Sequence, residues 1–485
     1  MQADAAAGAS GSVLDDLVAS LGTDEAMRAR IRRAAEALFT AALDRELPAE
    51  VLADPATIDA MIADLDERLG RQVDEVLHHP AVQRCEASWR GLRFLVDRTD
   101  FSQNIRIDVL DLDKAQLLAD FEDTPDLVQT GIYRLVYTSE YGTFGGQPFG
   151  ALIADYVFAN TPQDLLLLRK LAAVAANAHA PFIAAAAPQF FGLRRNPELA
   201  NLGNIDDLFA AQQFAKWRSF RGTEDARYVG LTTPRFLLRE PHSGATGVRS
   251  FVYHEKIEGH DQLVWGNAAF AFATRLVDSF ARWRWCTNIV GPSGGGIVPG
   301  LVRPAFAGTA PFELRIPTEV MLPERCEYGL SEQGFIPLVT LPGNGQTGFF
   351  SANSCQAART FGNTPEGREA SLGHRLGTQL PYMFIINRLA HYLKVMQREQ
   401  IGTGKTRTDI EVELGRWISQ YVVDMENPDA ATRRTNPLRM AQVKVEENPG
   451  NAGWYTVHLQ IRPHFKYMGA AFTLTLVGKL DIVNS

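Results

Sequence analysis

The chain has 485 residues, 46% hydrophobic and 21% charged, with 48 Lys+Arg against 56 Asp+Glu and a formal net charge of −8. That composition supports sizeable cores and excludes wholesale disorder, and the length corresponds to about three domains. The acidic balance argues against a chain whose main task is gripping nucleic acid.

Cys85, Cys286, Cys326 and Cys355 lie far apart with no CxxC pair. This fits neither a zinc knuckle nor a disulfide-stapled domain, so free, mostly buried thiols in a reducing cytosol are expected. The amino terminus shows no basic patch followed by an apolar run, so no secretory signal is expected. The most apolar stretch, Leu165–Ala187, carries Arg169, Lys170, Asn177, His179 and Pro181. Direct membrane insertion is therefore not expected, and a cytoplasmic location is.

Residues 1–12 are rich in Ala, Gly and Ser and read as disordered. Ser12–Gly22 reads as a short helix, with Ser12 as cap and Val13, Leu14, Leu17, Val18 and Leu21 on one face. So short a helix needs a partner surface, in this chain or another. Arg28–Leu43 and Thr57–Val76 read as further helices, separated by Pro48 and Pro55, which makes a helical arm over 1–80.

The main body then alternates. Helices are predicted at Ala87–Val96, Lys114–Phe121, Pro162–His179, Asp206–Phe220 and Trp265–Arg282. Strands are predicted at Ile105–Leu110, Ile132–Tyr137, Ala151–Phe158, Phe182–Ala186, Tyr228–Leu238 (as extended chain) and Cys286–Val290. Interleaving of this kind indicates an α/β body over 81–370, with a Gly/Pro-rich connection at 291–316 as the place where two subdomains would meet. In the last segment, 371–485, Ser371–Gln400 reads as a helix broken near Pro381, and Thr408–Val423 as a second. Gln442–Glu446, Trp454–Ile461 and Ala471–Lys479 read as strands, with a turn at Asn448–Gly453.

Chemistry-bearing motifs are few. GTGKT at Gly402–Thr406 resembles the end of a phosphate loop, but Glu399 stands where its first Gly belongs and a helix precedes it, so a helix-ending turn is expected. Gly294–Gly296 lacks GxGxxG spacing and reads as a flexible joint. Asp74 precedes His78 and His79 at helical spacing without further ligands, and His179, His391 and His464 are isolated. Nothing here demands an enzyme, a cofactor or a metal. The terminal strand can instead pair at home or with a neighbour's sheet edge.

Longer blocks carry a resemblance. His78–Pro80 with Glu86–Leu92 (EASWRGL), Glu140–Tyr156, His179–Leu193, Lys216–Arg239, Trp265–Leu276, Ser331–Leu338 and Arg462–Asp481 resemble the large sheath subunit of the type VI secretion system, the TssC/VipB family. The resemblance implies a mixed α+β, contractile tail-sheath-like core with a helical N-terminal arm and a C-terminal strand that joins an intersubunit sheet. It implies a structural subunit that pairs with a small sheath subunit of the TssB/VipA family. The pairs would polymerise helically around an Hcp inner tube and contract to propel it. A ClpV-type AAA+ unfoldase and baseplate components are the further implied partners.

On this reading Val13, Leu14, Leu17, Val18 and Leu21 are the unfoldase-binding helix, and Phe472, Thr473, Leu474, Thr475, Leu476 and Val477 the intersubunit strand. A sheath subunit of a related contractile injection particle and a nucleotide-dependent α/β enzyme are the alternatives.

Overall fold

A computed structural model describes residues 55–143, 145–243, 251–304, 316–342, 345–400, 406–425, 428–447, 455–464 and 474–478. The expectations for residues 1–12, the Val13–Leu21 helix, Arg28–Leu43, Gly402–Lys405, the Asn448–Gly453 turn, and Phe472 and Thr473 lie outside the described residues. The chain divides into two compact units, one of residues 1–82 with 241–262 and one of 83–240 with 263–485.

In the first unit the long helix α1, Pro55–Leu77, is joined by 251–262. The Tyr253 hydroxyl donates to Asp74 Oδ1 and Lys256 Nζ approaches Glu67 at 3.2 Å. Gly70 leaves room for the Tyr253 ring, which lies 3.7 Å from where a Cβ would stand. The reading of the arm as 1–80 alone omits this returning segment.

The second unit is built on a five-stranded sheet in the order β1-β2-β3-β6-β7. Its strands are β1 (Leu152–Phe158), β2 (Phe182–Ala186), β3 (Val229–Thr233), β6 (Phe335–Thr340) and β7 (Thr347–Phe349), and a short pair, β4 (Phe236–Leu237) and β5 (Trp265–Gly266), lies between β3 and β6 in sequence. β1, β2, β3 and β6 run parallel and β7 antiparallel. Every residue of β2, β3 and β6 is buried, as a parallel sheet covered on both faces requires.

The helices that follow are α2 (Pro80–Val96), α3 (Lys114–Asp123), α4 (Pro162–Ala178), α5 (Ala268–Trp283), α6 (Glu324–Glu332), α7 (Pro365–Gly377), α8 (Leu380–Gln400) and α9 (Arg407–Ser419). α4 starts where Thr161 accepts from the Asp164 N–H with Pro162 in the first turn, and stops where His179 turns left-handed at φ +51°.

Alternate sheet residues enter opposite cores. Phe182, Ala184 and Phe335 pack with Leu168 and Leu171 of α4 and with an aromatic cluster of Phe190, Phe191, Phe209 and Trp217. Ile183, Ile336 and Leu338 pack instead with Ala268, Phe272 and Leu276 of α5 and with Leu380 and Phe384 of α8. Phe335 sits at the centre of the aromatic group, 4.8 Å from the Phe191 centroid and 5.3 Å from that of Phe190.

Several elements differ from expectation. Ile132–Tyr137 is helical, within a run from Gly131 to Gly142 that includes a π-turn at Arg134–Thr138. The Asp120 carboxylate accepts the N–H groups of Gly131 and Ile132, and Tyr133, Tyr137 and Tyr141 stack at i, i+4 with centroids 5.0 and 4.8 Å apart. This local support outweighs the β-propensity of the residues. Cys286–Val290 and Ile105–Leu110 form no strand. Asp206–Phe220 breaks into Ile205–Ala210, a 3₁₀ turn and Ala215–Arg221. Tyr228–Leu238 is interrupted at Pro234 between β3 and β4.

The triple glycine is no flexible joint. A Cβ on Gly294 or Gly296 would stand 2.2 Å from a backbone oxygen, and the Gly296 N–H donates to the Gly291 carbonyl while its own carbonyl accepts from the Phe349 N–H. Glycine is needed here so that this turn can lie against β7.

Candidate assembly surface

The C-terminal segment forms a separate three-stranded antiparallel sheet, β10-β9-β8, from β8 (Leu438–Glu447), β9 (Tyr455–Pro463) and β10 (Leu474–Gly478). One face is apolar. Leu438, Leu459 and Ile461 pack on Tyr382, Ile386 and Leu389 of α8 and on Ile418 of α9, while Val445 and Val457 pack on Leu414. The other face is polar, with Gln442, Lys444 and Glu446 exposed and His458, Gln460 and Arg462 half-buried. There Glu446 takes Lys444 at 2.7 Å and His458 at 3.4 Å, and the hydrogen bond from Lys444 holds its carboxyl below the usual range.

The sheet's edges bear on assembly. β10 covers five positions of β9, with Leu474, Thr475, Leu476 and Val477 opposite Ile461, Gln460, Leu459 and His458. Within one chain, therefore, the terminal strand pairs at home. On β8, Leu438 is bonded to Tyr421 and Val423, but residues 439–446 make no backbone hydrogen bond outside the β9 ladder among the described residues. A strand edge of that length is a template for another strand.

The helices under this sheet are tied to the main sheet by a half-buried polar cluster. His391 on α8 places Nε2 3.0 Å from the Ala178 carbonyl, at the end of α4, and the Tyr141 hydroxyl donates to the same carbonyl at 2.7 Å. Lys394 reaches the Asn177 carbonyl at 3.2 Å and lies over the rings of Tyr137 and Tyr141. Burial, reinforced by Lys394 and by the other imidazole, pushes His179 down to about 3, and burial pushes His391 down to about 4. Both rings are neutral helix-end partners rather than ligands. His464 is likewise pushed down by burial.

Charged clamps hold the body around these elements. Arg221 donates to the Glu332 carbonyl, the Cys355 carbonyl and Gln333 Oε1. Glu319, with its side chain 1% exposed, takes two hydrogen bonds from Arg235 and one from Asn196. Burial raises the Glu86 carboxyl, but hydrogen bonds from Arg239 and Arg90 outweigh it and hold the group below its ordinary range. Apart from Arg90, which stands four residues after Glu86 on α2, each partner lies over 80 residues away, so no local pattern singled these clamps out.

The other candidates resolve into structural roles. His78 faces Glu255, and Asp74 accepts from Tyr253, so the Asp74–His78–His79 triplet is not assembled. Thr406 caps α9 in a capping box with Asp409, and the element before the motif is the helix α8, where a phosphate loop needs a strand. The four cysteines are free; burial pushes Cys286 up to about 12 and raises Cys355 as well. A shallow polar depression is lined by Ser331, Glu332, Asn353, Ser354 and Arg375. The Ser354 hydroxyl there is buried and has no hydrogen-bond partner among the described residues. Among the described residues no cluster of three His, Cys, Asp or Glu could hold a metal, and no helix is long and apolar enough to cross a membrane.

Comparison with known proteins places this architecture. Residues 59–356 match the EvpB/VC_A0108 tail sheath N-terminal domain, and residues 369–480 match the EvpB/VC_A0108 tail sheath gpW/gp25-like domain. The chain is 37% identical over 432 residues to the type VI secretion system sheath protein TssC1 of Pseudomonas aeruginosa, an alignment covering 87% of this chain and 86% of that protein. A chain in the cryo-EM structure of the anti-feeding prophage baseplate aligns over 79% of this chain and 81% of its own length, at 8% identity and a TM-score of 0.35, too low to carry an argument. On the two domain matches and the relative, the chain belongs to the VipB/EvpB tail-sheath family of type VI secretion sheath proteins.

Proposed function

We propose that this chain is the large subunit of a contractile sheath. It pairs with a small sheath subunit of the TssB/VipA family, polymerises helically around an Hcp inner tube and shortens to drive that tube outward. The observation that carries this reading is the paired match to both tail-sheath domains, over 59–356 and 369–480. Baseplate components seed the polymer, and a ClpV-type unfoldase recycles it by gripping the Val13–Leu21 helix. The work is done in the cytoplasm.

The mechanism follows from sheet physics. A sheath must keep its subunits linked while their packing changes. A strand exchanged between neighbours supplies main-chain hydrogen bonds that survive rigid-body rotation, whereas contacts between bodies break and re-form. β10 suits that role because, among the described residues, it is an edge strand of its sheet and pairs with β9 alone. The open edge of β8 suits the reciprocal role. The free energy of shortening then lies in the difference between two lattice packings, and hydrolysis belongs to the unfoldase.

Co-expression with a small sheath subunit, followed by negative-stain microscopy, tests this reading. Hollow striated tubules are expected; two proteins that purify apart with no tubules would contradict it.

A further inference from the structure

One face of α8 changes character along its length. Leu380 and Phe384 lie in the core under the main sheet, with Ile183, Ile336 and Leu338. His391, Lys394 and Arg398 continue the stripe at helical spacing, and each meets backbone carbonyls. His391 approaches the Ala178 carbonyl and Lys394 donates to that of Asn177. Arg398 donates to Thr143 at 2.8 Å and to Glu140 and Tyr141 at 3.4 Å. These carbonyls end two helices, α4 and the short Ser139–Gly142, where the last carbonyls lack partners within the helix. Lys394 also meets the negative end of the α4 dipole.

The opposite face of α8 carries the C-terminal sheet. Tyr382, Ile385, Ile386 and Leu389 pack with Leu459 and Ile461 of β9, and Leu393 and Met396 border Val445 and Val457. α8 falls in the second matched domain, 369–480, whereas the carbonyls it meets belong to the first, 59–356. The helix is therefore the beam between the two.

Directional and non-directional contacts do different work at such a joint. Apolar packing at Leu380 and Phe384 holds α8 on the main sheet, but the hydrophobic effect has no preferred direction. A tilt of about 10° about Phe384 would move Arg398, about 21 Å along the helix, by about 4 Å. That approaches the spacing of about 4.8 Å between paired strands. Hydrogen bonds to fixed carbonyls tolerate far smaller displacements.

We infer that Lys394 and Arg398 are positioning residues that set the angle at which the C-terminal sheet is presented to neighbouring subunits. The inference deepens the sheath reading and rests on it. Folding does not depend on the pair, because the apolar contacts on both faces of α8 remain without them.

Lys394→Met with Arg398→Met removes the donors and keeps the aliphatic stems. Lys394→Arg with Arg398→Lys keeps donors at both positions. Spin labels at Arg169→Cys on α4 and Gln442→Cys on β8, both exposed, read the angle in a Cys85→Ser chain. The parental and donor-keeping chains should give one narrow label-to-label distance, and the Met pair a distribution at least twice as wide. The thermal midpoint of the Met pair should fall by about 5 °C or less. Co-expressed with the small sheath subunit, the Met pair should bind it but form tubules at least tenfold less often, with the donor-keeping pair at the parental level. An unchanged distance width in the Met pair would overturn the inference, and so would tubules at the parental level. Loss of its cooperative thermal transition would also overturn it, by making these contacts part of folding. No tubules from the parental chain would contradict the sheath reading, while the label widths would still decide the role of the two residues.

Discussion

The imidazole of His391 meets that of His179 near edge-on, with ring centroids 6.3 Å apart, at the point where α8 rests on the end of α4. Both rings are half-buried, and desolvation holds them neutral, His179 at about 3 and His391 at about 4 against an ordinary 6.5. A lowered histidine value means that the unfolded chain binds protons first as pH falls. The pair therefore contributes stability that is full above about pH 6.5 and drains as pH falls toward 4. A thermal midpoint measured from pH 7.5 to 5 should fall on the acid side, and His179→Gln with His391→Gln should flatten that limb. An acid limb unchanged in the double variant would remove the pair from the account.

Glu319 is a buried carboxylate satisfied by Arg235 and Asn196. Glu319→Gln keeps a hydrogen-bonding side chain but removes the charge opposite a guanidinium that is itself 41% exposed, and should cost about 1 kcal/mol. Chemical denaturation reads this directly. A loss under about 0.5 kcal/mol, the scale of ordinary surface substitutions, would show that the clamp is dispensable.

Gly91 lets α2 lie against α5, since a Cβ there would stand 2.5 Å from Phe270 Cδ2. Gly91→Ala should gain helix propensity but overpack this contact, for a net cost of about 1–2 kcal/mol. Phe270→Leu on top of it should restore part of the loss in a double-mutant cycle. Additive losses would place the strain elsewhere.

The sequence exposed long, periodic elements well. α4, β2, α5 and the three C-terminal strands lie near their predicted places because burial, caps and alternation agree there. It misled where propensity and context conflict. Ile132–Tyr137 has β-prone residues, yet the Tyr133–Tyr137–Tyr141 spacing is a helical one, and that signal was readable. Ile105–Leu110 carries a strand's alternation, yet the structure forms no strand there. The clamps at Glu319 and Arg221 join residues far apart in sequence, and no local pattern encodes them. Membership of the tail-sheath family was legible only through long blocks of resemblance, because no short motif encodes it.

At the amino terminus, Val13, Leu14, Leu17, Val18 and Leu21 define the proposed unfoldase grip. Leu17→Asp with Leu21→Asp should leave tubule formation intact and reduce ClpV-type unfoldase capture at least tenfold in a pull-down, since two charges replace the apolar face that would dock. Capture at the parental level would exclude this helix as the grip.

The strand-exchange claim is tested most directly at the other end of the chain, by deleting residues 470–485 and co-expressing the truncated chain with the small sheath subunit. The deletion removes β10 but neither β8, β9 nor the helices beneath them. The account predicts a folded, soluble body with a cooperative thermal transition and no tubules under negative stain. Normal striated tubules from the truncated chain would contradict it.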